Sequence, residues 1–175
     1  KIFLQLVSYL KDSKYLNLKC LSVHIGSQIL NHKPYENMLK VIDKIISKSN
    51  HKFEYIDLGG GMGIDYEHNN SKLNLKKYSK NIQKFLKKNN SKIIFEPGRS
   101  IIGNSAVLVT KILYIKEGYK KDFVILDAAM NDLMRPALYG AKHRIIPSKK
   151  TKKVTKKSYE FVGPICESTD TFAIV

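Results

Sequence analysis

FEYIDLGGGMG (53–63) is the stretch that decides the fold. Its first half, FEYIDL (53–58), is short and rich in aromatic and β-branched side chains, as a strand requires, and it ends at a run of glycines. The neighbouring segments repeat this plan. LKCLSVHI (18–25) reads as a strand that ends in VHIGSQ (23–28), and KIIFE (92–96) as a strand that ends in EPGR (96–99). Between them the apolar spacing predicts helices. One is opened by Pro34 and runs to about Ser47, with Met38, Leu39, Ile42, Ile45 and Ile46 on one face. The other runs from Leu75 to Leu86, with Tyr78, Ile82 and Phe85 on its apolar side. Ile2, Phe3, Leu6, Val7 and Leu10 predict a further helix over 2–10. Strands alternating with helices imply a parallel sheet with helical crossovers.

After Arg99 the pattern changes. SAVLVTKILYIKEG (105–118), DFVILDAA (122–129), HRIIP (143–147) and YEFVG (159–163) are strand-like, with one helical or loop segment, MNDLMRPALYG (130–140), among them. The chain passes near residue 105 from a βα architecture to a mainly β one. A complete (β/α)8 barrel takes about 250 residues, and three strands leave an open parallel edge. The expectation is the second half of a (β/α)8 barrel over 1–104, followed by part of a β domain over 105–175. A small open sheet is the alternative.

The 175 residues are 43% hydrophobic, enough for one domain with a core or for parts of two. No run of about 18 apolar residues is present, so no transmembrane helix is expected. The first residues lack a signal-peptide pattern and an initiating Met, and begin as the back half of a helix would. The chain is therefore expected to be part of a longer one. Cys20 and Cys166 form no disulfide framework, which fits a reducing, cytoplasmic setting. The net charge of +16 comes from 31 basic residues, of which only Arg99, Arg135 and Arg144 are arginine. Readers of nucleic acid use arginine heavily for its bidentate fork. Dispersed lysine is a solvated surface, so neither a nucleic-acid nor a membrane partner is expected. The densest run, KKTKKVTKK (149–157), reads as a solvated loop.

The three strand ends carry the chemistry, because the active site of a βα barrel lies at the C-terminal ends of its strands. Gly59, Gly60 and Gly61 allow backbone N–H groups to approach an anion, although a tight turn explains them equally. The spacing is neither the dinucleotide nor the P-loop pattern. The Ser27 hydroxyl lies within reach of the same anion. Arg99 supplies a permanently charged fork that lysine would not, suited to a phosphate or carboxylate held in fixed geometry. Glu96 either pairs with Arg99 or faces a protonated ring nitrogen. His24 is either a core histidine or a face for stacking on a flat ring. A phosphate cradle, an acid for a pyridinium nitrogen and a stacking face together describe a pyridoxal phosphate site.

Later in the chain, Arg135 stands four residues before Tyr139, one helical turn apart, which suits a substrate carboxylate or an ordinary ion pair. GPICESTD (163–170) sets Cys166 beside Glu167, with Asp170 near. A buried structural cysteine and a proton donor both fit. No metal site is assigned.

VHIGSQIL, DLGGGMGI, EPGRSI, MNDLMRPALYGAKH and VGPICESTD occur in this order. Together they closely resemble the diaminopimelate decarboxylase family, of the alanine-racemase-like fold group. The resemblance covers essentially the whole chain. It implies a pyridoxal 5'-phosphate-binding (β/α)8 barrel followed by a C-terminal β-barrel or sandwich domain. It implies that His24 stacks on the cofactor ring, that Ser27, Gly60, Gly61, Gly98 and Arg99 hold its phosphate, and that Glu96 binds its ring nitrogen. Arg135, Tyr139 and Glu167, with Arg99, are implied in binding substrate, and Cys166 in protonating the decarboxylated carbon. The implied reaction converts meso-diaminopimelate to L-lysine and CO2, the last step of lysine biosynthesis. The implied assembly is a homodimer in which the Cys166–Glu167 loop serves the neighbouring subunit's site. The family's Schiff-base lysine segment has no counterpart here, and Ala129 and Thr169 stand where the family usually has glycine. An incomplete, inactive portion of the enzyme is expected. The alternatives are a related decarboxylase of ornithine, arginine or carboxynorspermidine, and a non-catalytic remnant.

Overall fold

The computed structural model describes residues 2–66, 69–149 and 157–175. They divide into two compact units, one comprising the residues up to Asp65 with Asn69–Ala106, the other Val107–Val175 with Tyr66.

In the first unit the elements run α1 (Ile2–Lys11), β1 (Cys20–Ser22), α2 (Lys33–Ser49), β2 (Tyr55–Asp57), α3 (Leu75–Asn89), β3 (Lys92–Ile94) and a single turn, α4 (Arg99–Ile102). Pro34 fits the start of α2 because the first helical N–H groups have no intrahelical acceptor. The helix stops at Asn50, which takes the left-handed conformation at φ 45°. Lys11 Nζ donates to the carbonyls of Ser49 and Asn50, both at 2.7 Å, satisfying the last turn of α2 and complementing its dipole. Asn74 caps α3 by accepting from Lys77 N at 3.0 Å, and Asn90, at φ 47°, ends it.

The strands pair in parallel in the order β1-β2-β3, with Leu21, Ile56 and Ile93 in register. α1, α2 and α3 pack side by side. Leu21 and Ile56 form one core with Val7 of α1, Tyr35, Met38, Leu39 and Ile42 of α2, and Tyr78, Ile82 and Phe85 of α3, and Ile93 packs against it. Burying each large aliphatic side chain contributes roughly 1.5–3 kcal/mol. Alternation leaves Cys20, Ser22, Lys92 and Ile94 exposed on the other side of their strands.

The second unit holds β4 (Ile112–Lys116), β5 (Asp122–Leu126), a short helix α5 (Arg135–Tyr139), β6 (Tyr159–Val162) and β7 (Thr171–Ile174). They form one sheet in the order β4-β5-β6-β7, antiparallel except for the parallel β5–β6 pair. Among the described residues of this unit, the buried apolar ones are Val124 and Leu126 of β5 and, just after it, Ala128 and Ala129.

Several expectations are corrected. Each strand of the first unit is three residues long, not the five to eight read from 18–25, 53–58 and 92–96. The flanking residues of those segments lie outside the strands, although backbone bonds such as Leu58 N to Ile94 O at 3.0 Å continue the pairing past their ends. HRIIP (143–147) is not a strand. An apolar run becomes a strand only when a neighbour supplies a ladder, and among the described residues this one has none. β7 is an addition to the strands expected from sequence. α1 buries only Val7, and Ile2 and Leu6 remain exposed. Most of the lysine run at 149–157 lies outside the described residues.

Candidate functional site

Three loops leave the same ends of the three parallel strands, because parallel pairing places all their C-termini at one edge. Each is fixed to the next through the backbone. Val23 N donates to Asp57 O at 3.0 Å, Ile29 N to Gly61 O at 2.9 Å, and Glu96 N to Gly59 O at 2.9 Å. The dipeptide Gly59–Gly60 therefore lies between the His24 and Glu96 loops. Gly60 N approaches His24 Nδ1 at 3.4 Å. This contact suits the tautomer with its hydrogen on Nε2. A side chain on Gly60 would overlap the Glu96 carbonyl, so the glycine is required by close backbone approach.

Two buried groups hold this loop from beneath. Asp57, 7% exposed, accepts from Ser22 Oγ and from Gly59 N, both at 2.8 Å. Tyr35, fully buried, donates its hydroxyl to Gly60 O at 3.0 Å. The Tyr35 ring lies 4.7 Å from that of Tyr78. Burial, then the neighbouring Tyr35, pushes the Tyr78 hydroxyl up to about 12.

His24, Ser27, Glu96 and Gly98 are exposed at this edge, and Arg99 is half-buried at the start of α4. His24 is therefore not a core histidine. Among the described residues, a Cβ on Gly26 or Gly98 would meet nothing within 4 Å, so the rim they form is open beside Ser27 and Arg99. Arg99 Nη1 donates to Gln28 Oε1 at 3.0 Å. A hydroxyl, a guanidinium and a glycine loop beside open space fit an anionic phosphate ester. A carboxylate and an imidazole on the same edge fit a protonated heterocycle.

In the second unit Arg135 and Tyr139 sit on α5, one turn apart. The guanidinium lies 5.4 Å from the centre of the Tyr139 ring, a cation–π contact. Tyr139 is exposed. His143 follows, with its ring 5.8 Å from Tyr66. Burial, and then the charge of Arg135, holds His143 below its ordinary value of 6.5. Cys166 is exposed in the loop between β6 and β7, so it is not a buried structural cysteine. Glu167 is held below its ordinary value by the Ser168 hydroxyl first, then by the backbone N–H groups of Thr169 and Ser168.

That loop is anchored by Asp170, 3% exposed. Its carboxylate accepts from Met130 N at 2.7 Å and from Ile165 N at 2.8 Å. Asp170 thus ties the loop of Cys166 to the segment that leads into α5. The roles of Gln28, Tyr35, Asp57 and Asp170 emerge only in the folded chain. Gln28, Asp57 and Asp170 lie inside quoted motifs, which is a signal. Tyr35 lies on the apolar face of a helix and carries none.

The family described as pyridoxal-dependent decarboxylase, C-terminal sheet domain, matches residues 8–174. The chain is 41% identical to the diaminopimelate decarboxylase of Aquifex aeolicus over 93% of its own length and 40% of the relative's. It is 42% identical to that of Zymomonas mobilis over 96% of its own length and 41% of the relative's. A crystal structure of a point variant of diaminopimelate decarboxylase from Helicobacter pylori, complexed with L-lysine, is 36% identical and superposes with a TM-score of 0.87. That match covers 99% of this chain and 44% of that one. The chain thus spans about two fifths of the length of the curated relatives it matches. With nearly all of its residues inside the matched region, the chain belongs to the pyridoxal-dependent decarboxylases.

Proposed function

We propose that the protein carrying this chain is a diaminopimelate decarboxylase. It uses pyridoxal 5'-phosphate to convert meso-diaminopimelate to L-lysine and CO2. The observation that carries this reading is the convergence of His24, the 59–61 glycines, Glu96 and Arg99 at one edge of a parallel sheet. Residues 1–104 are part of a (β/α)8 barrel and residues 105–175 part of a C-terminal β domain. The unbroken strand order β1-β2-β3, with α1 to α3 in one core on one side, supports a singly wound sheet of the barrel kind. The working form is a cytoplasmic homodimer in which the Cys166–Glu167 loop serves the partner subunit's site.

In this reading Ser27, Gly60, Gly61, Gly98 and Arg99 hold the cofactor phosphate. The Glu96 carboxylate would accept a hydrogen bond from the protonated ring nitrogen and keep it charged, and His24 would cover one ring face. The bound cofactor supplies the electron sink for decarboxylation. Arg135, Tyr139, Glu167 and Arg99 hold the substrate's polar ends. When the bond between Cα and its carboxylate breaks and CO2 leaves, Cys166 Sγ delivers the proton that forms the new C–H bond.

CO2 release by the full-length protein tests this reading. Lysine and CO2 from meso-diaminopimelate, with ornithine far slower, is the expected result. Turnover of ornithine, arginine or carboxynorspermidine with none of meso-diaminopimelate overturns it in favour of a related decarboxylase. The 175-residue chain alone, given pyridoxal 5'-phosphate, is expected to release no CO2.

A further inference from the structure

We propose that Gln28 is a positioning residue that sets the Arg99 guanidinium for the cofactor phosphate and fastens the three strand-end loops to one another. The inference rests on the reading of Arg99 as a phosphate ligand. Gln28 ends the loop after β1 with a φ of 62°, in the left-handed region that a residue with a Cβ enters at a cost. What compensates is its carboxamide. Oε1 accepts from Arg99 Nη1 at 3.0 Å and from Ile64 N at 3.3 Å, and Nε2 donates to Ile64 O at 2.6 Å. One side chain from the first loop thus reaches the second loop twice and the third loop once. The contact is close. A Cβ on Gly63 would stand 2.9 Å from Gln28 Oε1 and 3.0 Å from its Cα, so glycine is needed there to admit it.

The choice of an amide is chemically specific. Its oxygen orients a guanidinium while bringing no negative charge of its own to the site. A glutamate of the same length would bind Arg99 but cancel its charge, and it would present no donor to Ile64 O. An asparagine tolerates the left-handed backbone but is one methylene too short to span both loops.

The test uses the full-length protein and two probes, pyridoxal 5'-phosphate and pyridoxal, which differ by the phosphate alone. The ratio of their dissociation constants isolates what the phosphate contributes. A role confined to folding would weaken both equally. Arg99→Lys is expected to cut the preference for the phosphate ester by at least about tenfold, the loss of one charge-assisted contact. Gln28→Gly, which relaxes the backbone, and the isosteric Gln28→Glu are expected to cut it to a similar degree while pyridoxal affinity holds. Loss of preference in Arg99→Lys with none in either Gln28 variant overturns the role of Gln28 and leaves Arg99 as the phosphate ligand. An equal weakening of both probes in the Gln28 variants also overturns it. An unchanged preference in Arg99→Lys overturns the phosphate reading of Arg99, and the inference falls with it.

Discussion

The hydroxyl of Tyr35, on the buried face of α2, donates to the carbonyl of Gly60 at 3.0 Å. A helix core residue thereby sets the height of the glycine loop at the end of β2. Tyr35→Phe keeps the ring and its packing on Tyr78 but leaves a buried carbonyl without that donor. The expected loss is about 1–2 kcal/mol, read from the urea midpoint at unchanged m-value. No loss would mean that the bond contributes nothing net.

Asp57 has a mixed pair of donors, a hydroxyl and a backbone N–H. A hydroxyl also accepts, so in Asp57→Asn the new NH2 group serves Ser22 while the oxygen keeps Gly59 N. Asp57→Ala leaves the buried Gly59 N–H unpaired. The expected costs are about 2–3 kcal/mol for alanine and about 1 kcal/mol for asparagine. Equal costs in the same denaturation experiment would contradict the assignment.

Asp170 offers the opposite case. The two groups that donate to its carboxylate, Met130 N and Ile165 N, are backbone N–H groups that cannot accept. An asparagine in its place could serve only one of them, so Asp170→Asn is expected to cost nearly as much as Asp170→Ala, about 2 kcal/mol. Faster amide exchange at Met130 or Ile165 in both variants is the local check. Protection unchanged at both positions would show that the loop is held by other contacts.

His143 gives a pH dependence of known sign. Its folded pKa lies below the ordinary 6.5, so the unfolded chain takes up a proton that the folded chain resists. The contribution to stability is present above 6.5 and is lost as pH falls from there through the folded value. The Tyr66 ring and the Arg135 guanidinium lie near it, and the charge of Arg135 acts in the same direction as burial. His143→Gln is expected to flatten the fall in thermal midpoint below pH 6.5. An equal fall in both proteins would place the titrating group elsewhere.

The sequence determined the helices α2 and α3, their inward faces and the order of the polar loops. Met38, Leu39 and Ile42, like Tyr78, Ile82 and Phe85, repeat at the helical period, and a helix satisfies its own backbone bonds within a few residues. Strand lengths, the absence of a strand at HRIIP and the presence of β7 depended on partners far along the chain. The same holds for the candidate site. His24, Glu96 and Arg99 were legible because strong chemistry sat in recognisable loops. Gln28 on Arg99 spans 71 residues, Tyr35 on Gly60 spans 25 and Asp170 on Met130 spans 40. Only the folded chain decides such pairs, because a hydrogen bond needs two groups within about 3 Å, and no local pattern records where the second will come from.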